Sequence, residues 1–258
     1  MAYALITGSS KGIGKGIAEE LAAKKYDVLL VARSADALQS LADALSTKYG
    51  IKAQYLALDL AATDAPEKVK DWVVTNNFPV SVLVNNAGYS VWGEFEKTDV
   101  VDVFNMLQLN MQTLVKLTYL FLPILRKEKQ AYILNIASTA AYQAVPTMGT
   151  YAASKSFVLS FSRALHHELK GSNVSLTVVS PGATDTYFME RAGMSPNVKK
   201  KNEKFFMTPE QVAKIAVKAL FDKKDEVITG FVNWISAFAT RLLPKSLIEG
   251  IAAGIYKV

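Results

Sequence analysis

Residues 3–14 read Tyr-Ala-Leu-Ile-Thr-Gly-Ser-Ser-Lys-Gly-Ile-Gly, and this stretch decides the fold. Its first five residues form a short apolar run that stops at Gly8, which is typical of a buried parallel strand. The glycines have the spacing G-x3-G-x-G, and an amphipathic helical pattern follows them. A strand, a glycine turn and a helix present backbone N–H groups and the positive end of a helix dipole to phosphates. The stretch therefore predicts a diphosphate-binding turn.

The second predicted strand, Asp27–Ala32, ends in Arg33. Dinucleotide folds that prefer NAD often carry an acidic residue here for the ribose 2′-hydroxyl, whereas a guanidinium pairs bidentately with a 2′-phosphate. Lys11 in the glycine turn adds a second positive charge. Both residues favour NADP(H) over NAD(H), although Asp36 leaves NAD(H) possible.

Strand and helix patterns alternate along the rest of the chain. Further strands are predicted at 52–57, 81–84, 132–136 and 174–179, and helices at 36–49, 66–76, 99–126 (interrupted by Pro123) and 150–170. This alternation is typical of an α/β fold: one doubly wound domain with a mostly parallel sheet and helices on both faces. We find no repeat and no linker, so we expect residues 1–258 to form a single domain.

Polar and small residues follow the predicted strands. Asp59 and Leu60 follow the third strand, and Asp59 is placed to accept from an adenine amino group. Residues 85–88 (Asn-Asn-Ala-Gly) follow the fourth strand, where the strand order of a doubly wound sheet reverses and a crevice opens. Small and amide residues there allow a nicotinamide to lie against the backbone, although the same residues also occur in plain turns.

Tyr151 and Lys155 are spaced i and i+4 on the predicted helix 150–170. One helical turn separates them, so their Cβ atoms lie about 6 Å apart. A nearby ammonium favours the phenolate, so the tyrosine pKa, normally about 10, should fall. A phenol tuned in this way can act as a general acid and base. Asn110 lies in an otherwise apolar helical span, where a buried amide needs hydrogen-bond partners.

With these residues in view, the chain resembles the short-chain dehydrogenase/reductase family, in its shorter subdivision of about 250 residues. The resemblance covers Tyr3 to about Ile228. Its motifs stand in the family's order: Thr7-Gly8-x3-Gly12-x-Gly14, Asp59, Asn85-Asn86-Ala87-Gly88, Asn110, Ser138, Tyr151-x3-Lys155 and Pro181-Gly182. The family fold implies a seven-stranded sheet.

The resemblance also implies residue roles. Tyr151 protonates the developing alkoxide, Ser138 hydrogen-bonds the substrate oxygen, Lys155 holds the nicotinamide ribose, and Asn110 anchors a water that relays protons to Lys155. The reaction is hydride transfer between a nicotinamide and a carbonyl or alcohol carbon. The implied dinucleotide site comprises Gly8, Ser9, Ser10, Lys11, Gly12, Ile13, Gly14, Arg33, Asp59, Leu60, Asn86, Ala87, Gly88, Tyr151, Lys155, Pro181, Gly182 and Thr184.

Composition excludes several other classes of function. The chain has no cysteine, so thiolate catalysis, disulfides and Cys-based metal sites are excluded, and a cytoplasmic location is expected. His166 and His167 are adjacent and point in different directions on a helix, so we predict no metal site. The net charge of +6 lacks the clustering that nucleic-acid binding needs. No signal peptide or membrane-spanning run is expected.

Three segments are predicted to line a substrate pocket. They carry Tyr89, Val91, Trp92 and Phe95; Tyr142, Val145, Pro146 and Met148; and, in a lid at residues 185–207, Tyr187, Phe188, Met189, Met194, Phe205 and Phe206. This lining favours a hydrophobic ketone or acyl chain over a sugar. The basic run at Lys199–Lys204 favours a solvated loop, and contact with an acyl-CoA phosphate is a further hypothesis for it.

Residues 231–258 depart from the commoner family ending and are predicted to be a helical extension. The extension is expected to cover the lid or a partner subunit. Contact with a membrane surface is the less favoured alternative. The resemblance implies a homodimer or homotetramer in which the helices of Asn110 and Tyr151 pack against their mates.

Two functions of different classes remain open. One is an NADPH-dependent carbonyl reductase, and the other is a non-catalytic redox sensor on the same fold. The presence of Asn110, Ser138, Tyr151 and Lys155 together favours the enzyme, because a sensor has no need to keep all four.

Overall fold

The computed structural model describes residues 2–184, 188–193 and 206–256. The strands are β1 (Tyr3–Thr7), β2 (Asp27–Ala32), β3 (Ala53–Ala57), β4 (Val80–Asn85), β5 (Ala131–Ile136), β6 (Val174–Ser180) and β7 (Glu226–Ile228). They form one sheet in the order β3-β2-β1-β4-β5-β6-β7. All neighbouring strands pair in parallel. The predicted doubly wound α/β fold is thereby confirmed.

Helices cover both faces of the sheet. They are α1 (Gly12–Ala23), α2 (Ala35–Tyr49), α3 (Ala65–Thr75), α4 (Val100–Leu107), α5 (Leu114–Leu125), α6 (Gly149–Glu168), α7 (Phe188–Arg191), α8 (Pro209–Phe221), α9 (Phe231–Ala239) and α10 (Lys245–Tyr256). One apolar cluster packs the sheet against α3 and α5, and a second packs the other face against α1, α2 and α8. Since the strand order reverses between β1 and β4, a crevice opens at their carboxyl ends.

The helical span that carries Asn110 is interrupted at a different place from the one predicted. Helix α5 continues through Pro123, which is exposed and lies in its last turn, where the carbonyl that loses its partner can bond to water. The irregularity is instead a π-helical segment at Gln108–Thr113, between α4 and α5. Asn110 lies inside this segment. Single π turns within α-helices often occur at functional sites.

A buried polar chain joins the layers beneath the crevice. The Asn85 amide donates to Thr118 Oγ1 (3.0 Å) and to Asn135 Oδ1 (2.9 Å). The Asn135 amide in turn donates to Ser162 Oγ at 2.9 Å. The chain thus connects β4 and β5 with α5 and α6. Buried polar groups of this kind are costly when one partner is removed.

The C-terminal helices α9 and α10 follow β7. Gly182, after β6, lets α9 approach closely, because a Cβ at this position would lie 2.2 Å from Asn233 Nδ2. Ile248 and Ala252 are the buried face of α10. No helix in the described ranges combines the length and apolarity needed to cross a membrane.

Candidate active site

The carboxyl ends of the strands enclose a cleft of about 470 Å³. Ser138, Tyr151 and Lys155 all line it, because β5 ends just before Ser138 and α6 lies beside that strand. The residues predicted from separate motifs therefore face one cavity. Asn110 is buried behind the wall and does not line the cleft.

Lys155 is a buried cation beside the tyrosine. Its side chain is 5% exposed, and Nζ donates to the Ile136 carbonyl at 2.8 Å. Nζ also lies 5.9 Å from the centroid of the Tyr151 ring. Burial lowers the pKa of Lys155 from 10.5 to about 8, because the low-dielectric surroundings disfavour the charged form. The lysine can therefore exchange its proton near neutral pH.

Asn110 ties a loop to the catalytic helix. Its Oδ1 accepts from the Tyr89 N–H (3.1 Å), and its Nδ2 donates to the Tyr89 carbonyl (3.0 Å). The same Nδ2 donates to Ser154 Oγ at 3.1 Å, and Ser154 Oγ donates to the Tyr151 carbonyl at 2.7 Å. The side chain therefore positions both Tyr89 and the helix of Tyr151. Its relay of protons through a water stays a prediction.

Ser138 begins a short helical turn at Thr139–Tyr142. Its Oγ accepts from the Ala140 N–H at 3.1 Å, which is a capping contact. A hydroxyl that accepts a hydrogen bond still has its own proton to donate. Ser138 can therefore serve as a cap and as a donor to an oxygen in the cleft, so its structural and catalytic roles are compatible.

The glycine turn and the loop after β4 form one unit. Gly8 has φ +66°, and a Cβ at Gly14 would lie 2.3 Å from the Gly8 carbonyl oxygen. The Asn86 amide donates to the Thr7 and Gly8 carbonyls at 2.9 and 3.1 Å. Thr7 Oγ1 accepts from the N–H groups of Asn86 and Ala87. This cradle has no side chains in the way of a diphosphate, so it fits a dinucleotide.

Most of the predicted cofactor residues line this cleft. They are Gly8, Ser10, Lys11, Gly12, Ile13, Gly14, Arg33, Asp59, Leu60, Asn86, Ala87, Gly88, Tyr151, Lys155, Pro181, Gly182 and Thr184. Ser9 departs from the prediction. Its hydroxyl is buried without a hydrogen-bond partner among the described residues, and its N–H donates to Val31. The turn at Gly8 directs Ser9 inward, so only Ser10 of this pair reaches the cleft.

Besides Lys155, three cationic side chains of the described residues line the cleft: Lys11, Arg33 and Arg191. Sequence reasoning missed Arg191, whose guanidinium carbon lies 3.9 Å from the centroid of the Tyr89 ring. The pKa of Arg191 is lowered, first by partial burial and then by the charge of Arg33. The two guanidiniums therefore repel each other across the same region, and an anion would relieve that repulsion. Asp36 does not line the cleft.

Comparison with known proteins decides the family. The family model for short chain dehydrogenases matches residues 2–196. The chain belongs to the short-chain dehydrogenase family. As a member of this family it is an oxidoreductase, which confirms the predicted class of enzyme.

Two curated relatives of this short-chain dehydrogenase are reductases by name. The human very-long-chain 3-oxoacyl-CoA reductase is 30% identical over 98% of this chain and 77% of its own length. The Nostoc ketoacyl reductase HetN is 31% identical over 93% of this chain and 82% of its own. In the bovine very-long-chain 3-oxoacyl-CoA reductase, the match spans 58% of that protein's length.

A solved structure gives the same fold with a cofactor bound. The short-chain dehydrogenase from Sphingobium yanoikuyae, in complex with NADPH, superposes with a TM-score of 0.80 and is 28% identical. The superposition covers 94% of each chain. A nicotinamide dinucleotide cofactor is therefore supported for this short-chain dehydrogenase.

The substrate side of the cleft agrees with the sequence only in part. Tyr89, Val145, Met148 and Phe188 line it. Val91, Trp92, Phe95, Tyr142, Pro146 and Phe206 do not. Phe95 is exposed in a short helical turn, which sequence spacing could not reveal. Tyr187, Met194, Phe205 and Lys199–Lys204 lie outside the described residues, as does the side chain of Met189, so most of the predicted lid falls there too.

Tyr142 does not line the predicted substrate pocket and contacts Glu226 instead. Its hydroxyl donates to Glu226 Oε1 at 2.7 Å, and Arg163 binds the same carboxylate through Nε (2.6 Å) and Nη2 (2.8 Å). Burial raises the pKa of Tyr142 and keeps the phenol protonated. This contact fixes the far end of the turn that begins at Ser138.

Helix α9 contributes a polar lining that the sequence analysis missed. Asn233, Ser236 and Thr240 face the cleft together with Ala237, and Gln143 lies on the loop opposite. These polar residues recur every three or four positions within an otherwise apolar span, and this helical spacing could have predicted that they share one face. The extension therefore covers the cleft of its own chain.

Proposed function

We propose that this short-chain dehydrogenase uses NADPH to reduce a hydrophobic ketone, with a 3-oxoacyl thioester as the favoured substrate. The observation that carries the proposal is that one cleft holds Ser138, Tyr151 and Lys155 together with three further cations, Lys11, Arg33 and Arg191. The reductase names of two relatives support the direction and the substrate class.

The cations favour the phosphorylated cofactor. Lys11, Arg33 and Arg191 all line the cleft, whereas Asp36, the candidate ligand for a free ribose hydroxyl, lies off it. A charge-assisted bidentate pair between a guanidinium and a phosphate is among the stronger polar contacts in proteins. Arg33, at the end of β2, is therefore assigned to the 2′-phosphate, with Lys11 and Arg191 adding to the positive field.

The chain's own residues donate the proton and orient the substrate carbonyl. The nicotinamide, when bound, supplies the hydride. Tyr151 gives its phenolic proton to the carbonyl oxygen, and Ser138 donates a hydrogen bond to that oxygen. Lys155 favours the phenolate that remains, because a nearby cation stabilises it. Asn110 holds the helix of Tyr151 in position through Ser154.

The apolar lining fits an acyl chain. Val145, Met148 and Phe188 present apolar surface beside Tyr151, and the Phe188 ring lies 5.4 Å from the Tyr151 ring. Asn233 and Gln143 offer polar groups in the same cleft for the second oxygen of a 3-oxoacyl group. This combination favours an amphipathic carbonyl compound over a sugar.

We also propose that the chain forms a homo-oligomer through α4, α5 and α6. Val101, Phe104, Tyr119 and Phe157 are exposed on these helices. An exposed apolar surface of this kind often marks a protein interface. Helices α4 and α5 flank the segment that holds Asn110, and α6 carries Tyr151, so this surface lies on the helices for which the resemblance implies self-association.

The test of the reaction is NADPH oxidation with 3-oxoacyl-CoA substrates of graded chain length, beside aromatic and steroid ketones. Tyr151→Phe should lower kcat by about 10²–10⁴, the usual contribution of a general acid. Turnover unchanged by this substitution would remove the proposed proton donor. NADPH binding without turnover of any ketone would instead favour the redox sensor.

The cofactor assignment has its own test. Arg33→Asp should lower kcat/KM for NADPH relative to NADH by about 10- to 100-fold, because a charge-assisted pair contributes about 1.5–3 kcal/mol. Arg126→Asp makes the same charge change on an exposed residue at the end of α5 and should leave the ratio unaltered. An equal ratio in wild type and Arg33→Asp would refute the assignment.

A further inference from the structure

Helix α9 is amphipathic in the opposite sense to a normal surface helix. Its polar residues Asn233 and Ser236, together with Thr240 directly after it, face the cleft of the protein. Its large apolar side chains face solvent: Phe231 is 75% exposed, Trp234 49% and Phe238 45%. Surface helices ordinarily bury the apolar stripe and expose the polar one. An unexplained apolar face of this size calls for a partner.

The exposed aromatic rings form an ordered surface. Phe231 and Trp234 stack with centroids 6.3 Å apart and planes at 12°, and Trp234 and Phe238 stack at 5.6 Å and 7°. Val232 and Ile235 are exposed on the same helix. Further exposed apolar residues follow along the chain, namely Leu242, Leu243, Leu247 and Ile251. We call this set, from Phe231 to Ile251, the C-terminal apolar face.

The segment that carries this face has more basic than acidic residues. Arg241 lies between the two helices and Lys245 begins α10, and both are exposed. Over residues 231–258 the sequence carries Arg241, Lys245 and Lys257 against a single acid, Glu249. Tryptophan and basic residues beside an apolar helical face match the interface of a bilayer that contains anionic lipids. The two helices are too short to span, so they would lie along the surface.

A second copy of the chain is a less suitable occupant. The surface on α4, α5 and α6 is a separate exposed apolar area, and it is the one already assigned to self-association. A lipid surface also agrees with the position of α9, whose inner side lines the cleft. An apolar substrate dissolved in the bilayer would then reach the active site beside the helix that contacts the lipid.

We propose that the C-terminal apolar face binds the surface of an anionic phospholipid bilayer. Stacked Phe231, Trp234 and Phe238 insert among the acyl chains, and Arg241 and Lys245 contact the headgroups. The binding is independent of the proposed reductase activity, and it can be measured without turnover.

The test is cosedimentation of the full chain with vesicles of phosphatidylcholine and phosphatidylglycerol. Wild type should sediment with the vesicles, and Phe231→Ser/Trp234→Ser/Phe238→Ser should bind at least about a hundredfold more weakly, since each buried aromatic contributes about tenfold or more. None of the three residues lines the cleft, so the variant should retain turnover.

A second variant controls for nonspecific binding of exposed apolar side chains to vesicles. Val74→Ser/Phe95→Ser removes exposed apolar side chains that lie outside both the α4–α6 surface and the C-terminal apolar face, and it should bind vesicles as wild type does. Equal loss of binding in both variants would overturn the proposal. Wild type that stays in the supernatant would overturn it too. If wild type stays there and only the α9 variant reduces the oligomeric state, a second copy covers the face.

A milder variant remains informative if the triple serine variant does not fold. Arg241→Gln/Lys245→Gln should lower affinity for the anionic vesicles by about tenfold, because each cation near an anionic surface contributes measurably. It should leave the weaker binding to pure phosphatidylcholine vesicles unchanged. Equal affinity of wild type and this variant for the anionic vesicles would contradict the proposal.

Discussion

Replacing Lys155 with methionine should stabilise the folded protein at neutral pH while it removes activity. The lysine is almost fully buried, and the Ile136 carbonyl is its hydrogen-bond partner. A carbonyl compensates only part of the hydration that the ammonium loses on burial. Methionine has a similar length and no charge, so it can fill the same space without that cost. The residue that the chemistry needs is therefore a source of instability.

The magnitude follows from the shift in proton affinity. Burial lowers the pKa of Lys155 from 10.5 to about 8. At about 1.4 kcal/mol for each tenfold change, the charged form is destabilised by about 3 kcal/mol in the folded state. Losing the hydrogen bond to Ile136 takes back about 1 kcal/mol. We therefore expect Lys155→Met to be more stable than wild type by about 2 kcal/mol at about pH 7.

The difference should depend on pH in a defined direction. Between about pH 8 and 10.5 the unfolded wild-type chain keeps a proton on Lys155 that the folded chain has released. The free energy of unfolding of wild type therefore rises with pH in this window relative to the variant. Near pH 10.5 the advantage of Lys155→Met should vanish and reverse by about 1 kcal/mol, the value of the lost hydrogen bond.

The assay is urea unfolding of both proteins at a series of pH values from neutral to alkaline. Taking the difference between the two proteins cancels the other titrating groups. Lys214→Met, at an exposed position of α8, controls for the loss of a positive charge. A stability difference that stays constant with pH, or a destabilised variant at neutral pH, would refute the conclusion that burial of the charged Lys155 destabilises the folded protein.

Three further predictions test the cradle, the core and the cation group. Gly14→Ala should lower NADPH affinity by at least about tenfold in a fluorescence titration, because its Cβ would lie 2.3 Å from the Gly8 carbonyl oxygen. Gly149→Ala, whose Cβ would meet no described residue within 4 Å, is the matched control. Asn135→Ala should lower the free energy of unfolding by about 2–4 kcal/mol in urea, because two buried partners lose their hydrogen bonds. Arg191→Leu should raise KM for NADPH by about tenfold and leave KM for NADH unchanged, as a contact with the 2′-phosphate requires.

The sequence predicted those parts of the fold and the site that local chemistry determines. The glycine turn at residues 8–14 and the apolar strands follow from short-range patterns, and the doubly wound order follows from how such patterns pack. The pair Tyr151 and Lys155 was predictable because an i, i+4 spacing has one geometry on a helix. Ser138 reaches the same cleft because it follows the carboxyl end of β5.

Other features depend on contacts that no local pattern carries. Arg191 reaches the cleft because it lies over the Tyr89 ring, and Tyr89 is held in place by Asn110. Ser9 turns inward and Ser10 outward, although both are serines in one turn. Tyr142 leaves the predicted pocket for Glu226, which is 84 residues away in the sequence. Only the tertiary structure decides such pairings.

The two halves of the cleft are built on different supports, and this difference has a functional consequence. The dinucleotide half consists of loops locked to each other and to the core through Thr7, Asn86 and Asn110, so a change there disturbs several hydrogen bonds together. The substrate half is closed by α9, which touches the rest of the chain mainly through its polar side and through the close approach of Gly182 to Asn233. Substitutions at Ser236 on the cleft side of α9 can therefore change substrate choice at little cost to the cradle, whereas those in the cradle affect cofactor binding and stability alike. The outer side of that helix belongs to the C-terminal apolar face. Substitutions within its nine residues would therefore affect either substrate choice or lipid contact, depending on the side that they change.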